Sequence, residues 1–128
     1  MLFIFFNLLF FTAMGQMMST LSIYMVDRVG YTTAQYGLLL TVNGLLVIIL
    51  QYPIARNIDR FSRSRVIVAG CLLYAAGYLM FGWVGSYALA VAAMVLVSFG
   101  EIAFAPAAMS VVGEIAPRGE KGRYMGFF

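Results

Sequence analysis

Glu101 stands near the middle of a long apolar run, VLVSFGEIAFAPAAM, and it is the carboxyl group in the chain that sits deepest among apolar neighbours. A bare carboxylate in hydrocarbon costs a few kcal/mol or more. It must therefore be neutral or paired. Two chemistries fit. The group could take up and release a proton as water enters and leaves a cavity, or it could be a protonated Glu that only hydrogen-bonds a neighbouring helix. Five residues on, Pro106 lacks a backbone donor and frees the carbonyl of Ile102, so a bend is expected beside Glu101. Gly100, Ala103, Ala105, Ala107 and Ala108 surround this point and let another backbone come close, either for sliding or for static packing.

A second polar set lies nearer the start. Thr12, Gln16, Ser19, Thr20 and Tyr24 recur at spacings of three and four, which places them along one broad stripe of a helix. Asn7 lies outside its densest part. Gln16 and Thr20 within the stripe, together with Asn43, are candidates to line a path for substrate or protons with Glu101. The alternative is hydrogen-bond glue between helices. Gly70 and Gly77 read as packing notches, and Asn43-Gly44 fits either role.

The rest of the composition removes other chemistries. The chain has no His, and Cys71 is its single cysteine. A His- or Cys-built metal site, an internal disulfide and a Cys–His nucleophile pair are excluded, and neither a metal nor a cofactor is expected. An enzyme is the least favoured class, because nucleophile, base and metal do not come together.

Of the 128 residues, 63% are hydrophobic and 10% charged, against roughly 25% charged in an ordinary soluble domain. The mean hydropathy is +0.95. Too few polar side chains exist to cover a globule in water, so the solvent is a bilayer and the fold class is an all-α membrane protein. At about 20 residues per crossing, the chain holds four transmembrane helices plus the start of a fifth. The expected spans are residues 2–25, 35–55, 66–84 and 87–113, with a stub at 124–128, forming a single partial membrane domain over 1–128. The two-residue link Gly85-Ser86 makes spans three and four an antiparallel hairpin.

Arg56, Arg60, Arg63 and Arg65 follow span two, and Arg118, Lys121 and Arg123 follow span four. The positive-inside rule then puts the amino terminus and loops 56–65 and 114–123 in the cytoplasm, with Asp27 and Gly85 outside. The net charge of +3 reflects this orientation, not nucleic-acid binding. The sequence opens without the basic segment of a secretory signal and ends on the first turn of a further apolar helix, so both ends suggest a piece of a longer protein.

Two segments carry a resemblance. The loop A-R-N-I-D-R-F-S-R-S-R, 55–65, resembles the signature loop of the major facilitator superfamily, commonly G-x-x-x-D-R-x-G-R-R-x. Asp59, Arg60, Arg63 and Arg65 match it. Ala55 and Ser62 replace the preferred Gly, as in the looser copy found in the carboxyl-terminal half of such carriers. G-E-I-A-F-A-P, 100–106, followed by A-P-R-G-E-K-G-R-Y-M-G, 116–126, looks like the end of a family helix and its exit loop, without the Arg of the first-half copy.

The resemblance implies helices seven to ten, and the opening of eleven, of a twelve-helix carrier working by alternating access. It also implies that spans one and four line the central cavity and that the missing amino-terminal half supplies most of the binding surface. Asp59 with Arg60, Arg63 and Arg65 would act as a conformational latch, for which a positive loop that only fixes topology is the plainer alternative. The expected function is secondary transport of a small molecule, of the drug or metabolite efflux type and proton-coupled through an antiporter mechanism, in a bacterial inner membrane. Two other readings compete with it. One is a small four-helix exporter acting as a dimer, which would need its essential Glu in span one. The other is a non-transporting four-helix scaffold.

Overall fold

The computed structural model describes residues 2–58 and 60–115 together with glycines 119, 122 and 126. Asp59 and most of the segment after Ile115, including all of the expected stub at 124–128 except Gly126, lie outside the described residues. Helices dominate because a backbone crossing hydrocarbon must satisfy its own polar groups. They are α1 (Leu2–Gly15), α2 (Thr20–Ile23), a π-helical turn (Tyr24–Arg28), α3 (Thr33–Ile58), α4 (Arg63–Phe81) and α5 (Tyr87–Ile115). Four stretches are long and apolar enough to cross a membrane: Phe5–Arg28, Thr33–Asn57, Arg63–Phe81 and Tyr87–Glu114.

The first crossing departs from the single helix expected over 2–25. After Gly15 the ladder tightens, with Gln16, Met17 and Met18 bonding carbonyls only three residues back, and Ser19 leaves helical geometry at φ −112°, ψ −85°. The physical reason is local. Gly is a weak helix former, and Ser and Thr side chains compete for the backbone; Ser19 Oγ donates to the Gly15 carbonyl at 3.2 Å. The chain then widens into the π turn, closed by Val29 N–H on the Tyr24 carbonyl at 3.1 Å. It leaves the helix at Gly30, whose φ of +85° suits a residue without Cβ.

Thr32 and Gln35 open α3 as a reciprocal capping box. Gln35 N–H bonds Thr32 Oγ1 at 3.2 Å and Thr32 N–H bonds Gln35 Oε1 at 2.9 Å, which starts the helix two residues earlier than expected. At the other end of the next helix, α4 stops at Phe81 and not at Val84. Gly82 and Trp83 fold into a tight turn on Leu79 and Met80, so the link to α5 is five residues and not two. Helix α5 runs on through Pro106, and α3 through Pro53.

The helices alternate in direction. Gly70 meets Gly100 and Phe104 while Gly77 meets Ala93 and Val97, so α4 and α5 are antiparallel. Tyr87 Oη donates to the Gln35 carbonyl at 2.9 Å, and Asn43 reaches Ser98, so α3 runs parallel to α5. Phe10 packs on Tyr74, and Tyr78 Oη donates to the Ala13 carbonyl at 3.2 Å, so α1 runs parallel to α4. One end of the bundle therefore gathers Arg56, Arg63, Arg65 and Glu114. Arg63 and Glu114 form an ion pair that ties the start of α4 to the end of α5.

The tightest packing is the α4–α5 seam. A Cβ added at Gly100 would stand 2.7 Å from both the Gly70 carbonyl oxygen and the Tyr74 nitrogen, and one at Gly77 would stand 2.6 Å from Val97 Cγ2. Gly70 and Gly77 are thus the notches the sequence indicates. Gly44 is not: a Cβ there meets nothing. Met25, Leu39, Phe81, Met94, Val97 and Ile102 are the large side chains sealed in the core.

Candidate functional site

Helix α5 turns Ser98 and Glu101 to one side because they are three residues apart, about one helical turn. Opposite them α3 presents Asn43, which is buried. Asn43 Nδ2 donates to Ser98 Oγ at 3.0 Å and to Glu101 Oε2 at 3.2 Å, while Ser98 Oγ donates back to the Met94 carbonyl at 2.8 Å. A polar chain therefore runs from the α5 backbone through Ser98 and Asn43 to the carboxyl group. Ser98 is completely buried, whereas Glu101 keeps partial exposure. The carboxyl group thus has a hydrogen-bond partner in Asn43, and its partial exposure leaves one side of it open to whatever fills the space beside α5.

On α4, Tyr74 Oη donates to Tyr78 Oη at 3.5 Å. Tyr78 also holds the Ala13 carbonyl. Phe10 stacks on Phe104 with ring centroids 3.6 Å apart, one turn beyond Glu101.

Of the residues proposed to line a path, the structure brings Asn43 and Glu101 into direct contact. Gln16 and Thr20 bond each other, Thr20 Oγ1 donating to Gln16 Oε1, at the break in the first crossing. No hydrogen bond among the described residues joins the two pairs. Thr12, Ser19, Thr20 and Tyr24 are exposed, Thr12 donates to the Leu8 carbonyl at 2.7 Å, and among the described residues no side-chain hydrogen bond from this stripe reaches another helix. Asn7, set aside in the sequence, is buried.

Of the signature-loop residues, Asp59 lies outside those described. Arg60 and Arg65 are exposed, and Arg63 is bound to Glu114. Pro106 lies five residues past Glu101 within unbroken α5. Sequence reasoning missed Ser98, although the pattern Ser-x-x-Glu in an apolar run signals it. It also missed the tyrosines at 36, 74 and 78. Tyr36 Oη donates to the Met17 carbonyl at the break, and that partner depends on tertiary structure.

The sequence profile of the Major Facilitator Superfamily matches residues 2–128. The chain belongs to the major facilitator superfamily. It is 27% identical over 117 residues to an uncharacterized MFS-type transporter of Bacillus subtilis, YttB, covering 90% of this chain and 29% of that protein. With a second one, YqjV, it is 30% identical over 116 residues, 88% of this chain and 28% of that protein. The chain thus spans less than a third of the length of these curated relatives. No solved structure matches it. Membership makes this a multi-pass integral membrane protein of a transporter family, which is not an enzyme family.

Proposed function

We propose that the chain forms helices seven to ten, with the opening of eleven, of a twelve-helix secondary transporter that exports a drug or metabolite in exchange for protons by alternating access. The observation that carries the reading is the Asn43–Glu101 hydrogen bond at the junction of α3 and α5, a paired carboxyl group with one side open. Such a group can bind a proton in one state and release it in the other when water reaches it.

Further support comes from the face of half-buried Gln16 and exposed Thr20 and Tyr24, which suits a cavity shared with an amino-terminal half. The looser signature loop, with Ala55 and Ser62 in place of Gly, supports assignment to the carboxyl-terminal half. In this reading Asp59, Arg60, Arg63 and Arg65 form a latch on the cytoplasmic side, where the positive-inside rule puts the basic end of the bundle in a bacterial inner membrane.

The test uses the carrier reconstituted in liposomes with a substrate found by screening everted vesicles. Glu101→Gln is expected to reduce accumulation driven by a pH gradient to background while substrate exchange without a gradient continues. Accumulation that follows the gradient as in the wild type would remove Glu101 from coupling.

A further inference from the structure

We propose that the outward face of α4 binds one anionic phospholipid, with the headgroup phosphate on Arg65 and Ser64 and an acyl chain along Val68, Ala69 and Leu72. These five residues line a shallow depression of about 340 Å³. Their spacing puts them on one face of the helix. The opposite face, carrying Gly70, Tyr74, Gly77 and Phe81, is buried. Val68, Leu72, Leu79 and Trp83 continue the outward stripe, each more than half exposed.

The length and ends of this stripe identify its neighbour. From Arg65 to Trp83 the chain rises roughly 27 Å at about 1.5 Å per residue, close to the thickness of a bilayer core. An Arg at one end and a Trp at the other are the side chains that sit at headgroup level. Apolar side chains between them face acyl chains.

The charge selects the headgroup. Arg63, two residues before Arg65, is committed to Glu114. Arg65 is exposed, and among the described residues no carboxylate bonds it. A guanidinium can bind a phosphate through two parallel hydrogen bonds, and the Ser64 hydroxyl beside it adds a donor. Arg56 and Arg60 at the same end raise the local positive potential, which favours lipids of net negative charge over zwitterionic ones. A second depression of about 360 Å³, lined by Leu50, Pro53, Ile54, Asn57, Phe61 and Val66, has no charged side chain in its wall. It lacks the feature that would select a headgroup. The site on α4 requires only that this helix cross the membrane, whatever the carrier moves.

The protein purified in detergent micelles is titrated with phosphatidylglycerol or phosphatidylcholine, and retained lipids are counted by native mass spectrometry. One phosphatidylglycerol is expected to be held in preference to phosphatidylcholine. Arg65→Gln is expected to lower that preference about five-fold, and Arg56→Gln, off the depression and acting only through the shared potential, to lower it by less than about two-fold. Leu72→Trp, which fills the apolar floor, is expected to weaken retention of both lipids. Equal retention of the two lipids by the wild type, an undiminished preference in Arg65→Gln, or equal losses in Arg65→Gln and Arg56→Gln would each overturn the site.

Discussion

The α4–α5 hairpin and the first crossing are both apolar enough to enter a membrane, yet they are held in opposite ways. In the hairpin, small residues bring two backbones into contact, and the seam is sealed by Gly70, Gly77 and Gly100. In the first crossing the ladder breaks at Gln16–Ser19, and hydroxyls from other helices take up carbonyls near the break: Tyr78 on Ala13 and Tyr36 on Met17. Where apolar surface alone gives helices no reason to associate, close approach supplies dispersion along the whole seam. Interrupted backbone is tolerated in hydrocarbon where protein groups satisfy it. The difference separates a rigid part of the molecule from one whose shape depends on a few hydroxyls.

Substitution can break that comparison. The largest expected effect is Gly100→Leu, which drives a side chain into the Gly70 carbonyl and the Tyr74 backbone; overpacking should cost about 1–3 kcal/mol or more, read as a lower unfolding midpoint in micelles. Gly44→Ala, where a Cβ meets nothing, should be neutral or slightly stabilising. Tyr36→Phe should have an intermediate effect of about 1 kcal/mol, since it removes the partner of the Met17 carbonyl. Its more specific sign is faster amide exchange over residues 16–21 with exchange in α4 and α5 unchanged. Thr12→Ala should be as small as Gly44→Ala, within about 0.5 kcal/mol, because its hydroxyl bonds its own helix. A large loss in Thr12→Ala would show that the first crossing depends on contacts of the kind seen in the hairpin.

The fold was largely legible in the sequence. Hydropathy over about 20 residues fixes helices in a bilayer, and the notches at Gly70 and Gly77 follow from small residues at helical spacing. Asn43 and Glu101 were each visible as polar groups at depth. What hydropathy misses is geometry set by single side chains. The break after Gly15 arises from a weak helix former followed by a Ser19 hydroxyl that takes the Gly15 carbonyl, in a segment whose average character is still apolar. The early start of α3 rests on the Thr32–Gln35 box, a signal present in T-T-A-Q but outweighed by reading the apolar run alone. Ser98 was hidden because a hydroxyl scarcely changes the hydropathy of its surroundings. The roles of Tyr36, Tyr74 and Tyr78 depend on which helix stands opposite, and one chain's spacing does not encode that.

The contact between Gly70 and Gly100 also has a mechanical meaning. Two helices whose main chains touch, and whose far ends are tied by Arg63 and Glu114, cannot slip lengthwise past one another without lifting apart. They behave as a single stiff plank. Bending within this chain then falls on the thinner joint of the first crossing, while the plank holds Glu101 at a fixed height against α4.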